Sequence, residues 1–124
     1  MILIVDDQKN MCWILSKVLA DAGFAVVTAA TAAAALAIAA HGEVTAAVID
    51  YRLPDKSGLA LLGELRRCHP QLPAVLITSY GSGQLREEAL RLGFRAYMDK
   101  PLDNHALIAT LRAVLTEPEG IDTR

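Results

Sequence analysis

The chain alternates short, almost continuously apolar runs with longer segments in which apolar residues recur every three or four positions. Runs such as "ILIV" (2–5) and "AVLIT" (74–78) are typical of strands that are buried on both faces of a parallel sheet. On this basis we predict strands at 2–5, 25–29, 46–49, 74–78 and 95–99.

The segments that follow these strands have the periodicity of helices. In 8–22 the apolar positions form one stripe, with Trp13 outside it; the stripe contains Met11, Ile14, Leu15, Val18, Leu19 and Ala22. Four further helices are predicted from their cap residues: one over 31–40 after Thr31, one from Ser57 that ends before Pro70, one from Ser82 or Gly83 to Leu92, and one from Asp103 or Asn104.

Five strand–helix units in this order predict an α/β fold, because right-handed crossovers place helices on both faces of a parallel sheet. The leading candidate is the flavodoxin-like (βα)5 arrangement, a doubly wound parallel five-stranded sheet in the order 2-1-3-4-5. We predict one domain at 1–115. The segment 116–124 loses the periodicity, and we predict that it is a C-terminal tail or the start of a linker.

Composition narrows the classes of function. Hydrophobic residues make up 53% of the chain and aromatic residues only 5%, which predicts a mainly aliphatic core. The net charge of −2 gives no basic surface for nucleic acid, and no apolar run approaches the roughly 18 residues of a membrane span. Cys12 and Cys68 lack metal-ligand spacing and are predicted to be reduced packing residues. We therefore expect a cytoplasmic protein with no direct nucleic-acid binding and no membrane association.

Polar residues follow the predicted strands at the edge where such sheets bind ligands. Asp6 and Asp7 come after the first strand, Asp50 after the third, Thr78 at the end of the fourth and Lys100 after the fifth. The first and third strands would be neighbours about 4.8 Å apart. Three carboxylates at this spacing repel one another, and a divalent cation would relieve the repulsion. All-oxygen ligands favour Mg²⁺ or Mn²⁺.

Taken singly, each of these residues has a simpler explanation. Asp7 is a plausible helix N-cap, Asp50 a turn residue, Thr78 a strand-end residue and Lys100 a surface lysine in a turn before Pro101. Their joint placement at four strand ends on one edge favours a common site.

The segments "VDDQ" (5–8), "VIDYRLPDKSG" (48–58), "ITS" (77–79) and "YMDKP" (97–101) together resemble the receiver domain of bacterial two-component response regulators. The resemblance covers 1–115. It implies that Asp50 accepts a phosphoryl group in a Mg²⁺-dependent reaction. Asp7, Asp50 and the main-chain carbonyl of Arg52 would bind the metal, and Asp6 would act mostly through water. Thr78 and Lys100 would bind phosphoryl oxygens.

The same resemblance implies a conformational switch. Thr78 would move toward the phosphate, and Tyr97 would turn inward behind it and change the surface of the fourth helix, fifth strand and fifth helix, at about 82–115. An aromatic ring that simply packs in place is the alternative for Tyr97. The bond between Lys100 and Pro101 would be cis.

Partners also follow from the resemblance. The phosphoryl donor would be a sensor histidine kinase or a histidine phosphotransfer protein, and the 82–115 face is a candidate homodimer surface. The segments "WIL" (13–15) and "HPQLP" (69–73) resemble receivers of NtrC-type enhancer-binding regulators, which would place the domain in transcription regulation.

Two further expectations concern reactivity. Bulky residues at Arg52 and Tyr80 occupy positions that tune phosphoryl lifetime in such receivers, so we predict slow self-dephosphorylation. The domain would not be an enzyme in its own right, since it assists only its own phosphoryl transfer and dephosphorylation. One alternative to a signalling switch is a haloacid-dehalogenase-type phosphatase, but such enzymes carry a D-x-D motif and usually a cap domain. The other is a degenerate receiver that acts as a constitutive interaction module.

Overall fold

Five parallel strands form a single sheet in this computed structural model, which describes residues 1–116. The strands are β1 (Ile2–Val5), β2 (Val26–Ala29), β3 (Ala46–Asp50), β4 (Ala74–Thr78) and β5 (Ala96–Asp99). Their order is β2-β1-β3-β4-β5, which confirms the predicted flavodoxin-like topology. The predicted strand bounds differ from the observed ones by one residue at most.

One helix follows each strand: α1 (Lys9–Asp21), α2 (Ala32–His41), α3 (Gly58–Cys68), α4 (Gly83–Leu92) and α5 (Asn104–Thr116). Buried residues of α2, α3 and α4 cover one face of the sheet, and those of α1 and α5 cover the other. Within residues 1–116 no helix is both long enough and apolar enough to cross a membrane. Helix α5 includes the first residue of the predicted tail, and 117–124 lie outside the described residues.

Helix α1 excludes the alternative role of Asp7 as its N-cap and corrects the prediction for Ile14. Gln8, not Asp7, occupies the N-cap position, and its side chain makes no capping hydrogen bond. Ile14, predicted to lie in the apolar stripe, is 47% exposed, whereas Leu15 and Leu19 are buried. The stripe is narrower than predicted because only the side of α1 that carries these two leucines lies against the sheet.

The buried face of helix α2 consists of alanines. Thr31 Oγ1 accepts a hydrogen bond from the N–H of Ala34 at 3.0 Å, as predicted for its N-cap. At the other end, His69 Nε2 lies 3.0 Å from the carbonyl oxygen of Ala39. The loop after α3 thus holds the last turn of α2.

The start of α3 is fixed directly against the end of β3. Ser57 Oγ caps the helix by accepting the N–H of Ala60 at 3.1 Å, and the N–H of Gly58 donates to the Tyr51 carbonyl at 2.7 Å. A Cβ atom at Gly58 would overlap the main-chain carbonyl of Asp50. Only glycine therefore allows the helix to begin this close to Asp50.

Candidate functional site

Three carboxylates converge at the carboxyl end of the sheet, where β1 and β3 are neighbours. One oxygen from each of Asp6, Asp7 and Asp50 lies within 4.8 Å of the others. Asp6 is fully buried, Asp50 is 7% exposed and Asp7 is exposed. The parallel register brings together residues that are 44 positions apart in sequence, as the strand-end pattern predicted.

Lys100 provides the positive charge of this cluster. Its Nζ donates to Asp6 Oδ2 at 2.7 Å and lies 3.6 Å from Asp50 Oδ1. The side chain is held in place by its backbone, because the Lys100 N–H donates to the Thr78 carbonyl at 2.8 Å. The bond to Pro101 is cis, as predicted.

Burial and charge make Asp50 harder to ionise than an ordinary aspartate. Desolvation is the largest cause and the charge of Asp6 the second; together they raise the pKa of Asp50 to about 6, although Lys100 opposes the shift. One ammonium group therefore does not balance three carboxylates. This excess of negative charge and the all-oxygen donor set fit a hard divalent cation such as Mg²⁺.

Thr78 and Tyr97, the predicted switch residues, both hold the loop between β4 and α4. Thr78 is buried, and its Oγ1 accepts the N–H of Tyr80 at 2.9 Å. The Tyr97 hydroxyl accepts the N–H of Ser82, the N-cap of α4, at 3.1 Å. Burial, and secondarily the charge of Asp99, raise the pKa of Tyr97, so the hydroxyl stays protonated at neutral pH.

A pair of exposed side chains links the β3–α3 loop to the β4–α4 loop. The Arg52 guanidinium lies 4.2 Å from the centre of the Tyr80 ring. The two residues predicted to tune phosphoryl lifetime are thus in contact, through a cation–π interaction.

Comparison with known proteins decides the family. The sequence profile of the response regulator receiver domain matches residues 2–112. The chain belongs to the response regulator receiver domain family. The relatives of this receiver domain include NtrC of Escherichia coli K12, in agreement with the predicted similarity to NtrC-type regulators.

Similar proteins include both full-length regulators and isolated domains. This receiver domain is 34% identical over 121 residues to the transcriptional regulatory protein ZraR of Escherichia coli K12. The match covers 98% of this chain but only 27% of ZraR. The crystal structure of the receiver domain of NtrX from Brucella abortus has a TM-score of 0.89 and 31% identity, covering 95% of this chain and 100% of that one.

A second similar solved structure contains a phosphorylated residue. It is a response regulator protein from Burkholderia pseudomallei, crystallised with a phosphorylated aspartic acid, a calcium ion and citrate. It is 26% identical, with a TM-score of 0.83, and the match covers 93% of this chain and 68% of that one.

Two structural features near the site of this receiver domain were not predicted. Gly58 lies in a turn-like position of the sequence, and the pattern does not reveal its closeness to the Asp50 carbonyl, which depends on how α3 meets β3. Asp55 was not singled out, although its carboxylate accepts two N–H groups of α2.

Proposed function

We propose that the protein is a phosphorylation-activated signalling switch. Asp50 accepts a phosphoryl group from a sensor histidine kinase or a histidine phosphotransfer protein in a Mg²⁺-dependent reaction, and the α4–β5–α5 surface changes to control an output domain or partner. The observation that carries this proposal is the buried Asp50 carboxylate between two further carboxylates and Lys100. The phosphorylated aspartic acid in the Burkholderia structure supports it.

In the proposed reaction, a carboxylate oxygen of Asp50 attacks the phosphorus atom of a phosphohistidine. The new O–P bond forms as the P–N bond breaks, and the imidazole leaves with the electron pair and takes up a proton. Asp50 reacts in its ionised form, which predominates above pH 6. Lys100 and the Thr78 hydroxyl would stabilise the charge on the phosphoryl oxygens.

The metal site would consist of Asp7, Asp50 and the main-chain carbonyl of Arg52. Asp6 already accepts a hydrogen bond at each oxygen, from the N–H of Gln8 at 2.9 Å and from Lys100 at 2.7 Å, which supports a role through water. Mg²⁺ or Mn²⁺, when bound, supplies positive charge that neutralises the transferring phosphoryl group.

Thr78 and Tyr97 would carry the signal from the phosphate to the 82–115 face. Both hydroxyls hold N–H groups of one loop, so a Thr78 that turns toward the phosphate releases Tyr80 and alters the support of α4. Tyr97 would then exchange its contact with Ser82 for an inward position.

The wider setting is proposed from the relatives. The chain covers about a quarter of ZraR, so a transcription-regulating output is part of the proposal, as are the cytoplasmic location and a homodimer through the 82–115 face. The domain itself would act as a phosphoacceptor that assists only its own phosphoryl transfer and dephosphorylation.

The decisive test is incubation with acetyl phosphate and Mg²⁺, followed by mass spectrometry of the intact protein. We expect a stable mass gain of about 80 Da in the wild type and in Asp21→Asn, which alters an exposed aspartate on α1, but none in Asp50→Asn. Turnover without an adduct would indicate a hydrolase, and no reaction at all would indicate a constitutive interaction module. Either result would refute the proposal.

The proposed metal ligands can be tested separately with Asp7→Ala. Because Asp7 is exposed and does not cap α1, its removal should leave the fold intact. We expect the variant to lose Mg²⁺ binding and to label Asp50 more slowly. Normal Mg²⁺ binding by Asp7→Ala would contradict the assigned role.

A further inference from the structure

The β3–α3 loop carries Arg52, and its backbone is tied at both ends. Arg52 and Ser57 form an antiparallel bridge, and the N–H of Gly58 donates to the Tyr51 carbonyl at 2.7 Å. These contacts close the loop on itself. At its tip, Lys56 forms an ion pair with Glu64 of α3, and the exposed Asp55 reaches a second helix.

Asp55 ties the tip to a neighbouring helix. Its Oδ1 accepts the N–H of Ala32 at 2.9 Å, and its Oδ2 accepts the N–H of Ala33 at 3.0 Å. These N–H groups belong to the first turn of α2 and have no partner within the helix. The hydrogen bonds lower the pKa of Asp55, the one from Ala32 most, so the clamp is ionised at neutral pH.

Helix α2 is a firm support for this clamp. Ala32 and Ala35 are completely buried against the sheet, and the last turn is held by His69. Thr31 caps the same end of the helix independently, through the N–H of Ala34. The carboxylate of Asp55 therefore connects the loop to an element that is already fixed by its own contacts.

We propose that Asp55 is a positioning residue of the metal site. By clamping the loop to α2, it holds the main-chain carbonyl of Arg52 in the orientation that a metal ion requires. This inference rests on the proposed function, in which that carbonyl is a ligand. A neutral carbonyl binds a hard cation well only when it is oriented in advance, and groups that orient ligands strongly affect metal affinity.

The test compares Mn²⁺ binding among variants, measured by the electron paramagnetic resonance signal of the free ion. We expect Asp55→Ala to bind about tenfold more weakly than the wild type. Thr31→Ala is the matched control, because it removes a cap from the same helix end without touching the loop, and it should bind normally. Asp55→Asn keeps one acceptor oxygen but no charge, and should be intermediate.

A second readout is the rate at which acetyl phosphate labels Asp50. For Asp55→Ala we expect the rate to fall at low Mn²⁺ and to recover at saturating Mn²⁺, because the reactive groups themselves are unchanged. A rate that stayed low at saturation would contradict a role in positioning the metal site.

The remaining outcomes separate the explanations. Wild-type affinity in Asp55→Ala would overturn the inference. If Thr31→Ala weakened Mn²⁺ binding as much as Asp55→Ala, the effect would be due to the stability of α2. If Asp55→Asn weakened it as much as Asp55→Ala, the effect would be due to charge. Either result would also overturn the inference. Absence of Mn²⁺ binding by the wild type, or unchanged binding by Asp7→Ala, would instead refute the metal site of the proposed function.

Discussion

Asp50 has two properties that oppose each other. In its proposed role as a nucleophile it must be ionised, but burial and the neighbouring Asp6 favour its neutral form and raise its pKa to about 6. At neutral pH the folded protein therefore holds an ionised Asp50 carboxylate in an environment that stabilises the protonated carboxyl group. This cost should be measurable as a dependence of folding stability on pH.

We expect Asp50→Asn to increase the free energy of unfolding at pH 7.5, without divalent ions, by about 1–3 kcal/mol. The unfolded pKa is about 3.9, so protonation of the wild type favours the folded state. That stabilisation is fully present below about pH 4 and is lost as the pH rises through about 6. The advantage of the variant should thus shrink at pH 4.5. Urea unfolding in EDTA at both pH values measures this difference in unfolding free energy, and Asp21→Asn is the control. A difference that increased on acidification would contradict the prediction.

Arg52 and Tyr80 form the contact that would cover the phosphoryl group. If the two side chains shield the phosphoryl group only as a pair, removal of either one exposes it to water. Removal of both should then speed the loss of phosphate little further. We expect Arg52→Ala and Tyr80→Ala each to speed the loss of phosphate from Asp50 by about two- to fivefold, the range that corresponds to one cation–π contact. The double variant should resemble the single ones.

The measurement is decay of the phosphorylated protein after removal of the phosphodonor. Arg67→Ala, which changes an exposed arginine of α3, serves as control and should decay like the wild type. If the double variant lost phosphate at a rate that multiplied the two single effects, the two side chains would not shield the phosphoryl group as a pair.

At the scale of elements, the approach of α3 to the end of β3 sets the position of Asp50. The helix begins at Gly58, where a side chain would overlap the Asp50 carbonyl, whereas Gly63 in the same helix has open space around it. Substitution of Gly63 by alanine therefore reports helix propensity alone, whereas the same substitution at Gly58 also reports the close approach to Asp50.

We expect Gly58→Ala to destabilise the protein by about 1–3 kcal/mol and to slow labelling of Asp50, because the strand end must shift. Gly63→Ala should instead stabilise it by roughly 0.5–1 kcal/mol and leave labelling unchanged. Urea unfolding and the acetyl phosphate assay give both quantities. Similar effects of the two substitutions would show that Gly58 is not required by close approach.

Patterns along the chain predicted those elements whose burial is unambiguous. All five strands were found because parallel strands buried on both faces are nearly continuous in apolar residues. The exposed Ile14 was mispredicted because hydrophobic spacing indicates which positions share a helix face, not how much of that face meets the sheet. The carboxylate cluster was predictable because parallel strands bring their ends to one edge. The Asp55 clamp was not, since it joins residues 22 and 23 positions apart through a loop conformation that no local pattern reveals.

Across the whole molecule, the β4–α4 loop connects the acidic cluster to the start of the 82–115 face, beside the direct ion pairs that Lys100 makes with the cluster. Thr78 holds the loop from the side of the cluster, and Tyr97 holds it where α4 begins. Under the proposed function, a change at the phosphoryl site would reach α4 through these two hydrogen bonds, without a rearrangement of the sheet. The proposed switch is two-state because each hydroxyl either holds the loop or leaves it.

Tyr97→Phe tests this connection because it removes the hydroxyl and keeps the ring. We expect amide hydrogen exchange over 82–85 to become roughly two- to tenfold faster in the unphosphorylated protein, as Ser82 loses its acceptor. Phosphorylation of the wild type should speed exchange in the same segment, and phosphorylation of the variant should change it less, since the bond is already absent. Amides of α1, on the opposite face of the sheet, provide the internal control. If Tyr97→Phe exchanged like the wild type over 82–85, or if phosphorylation altered α1 but not α4, the signal would travel by another route.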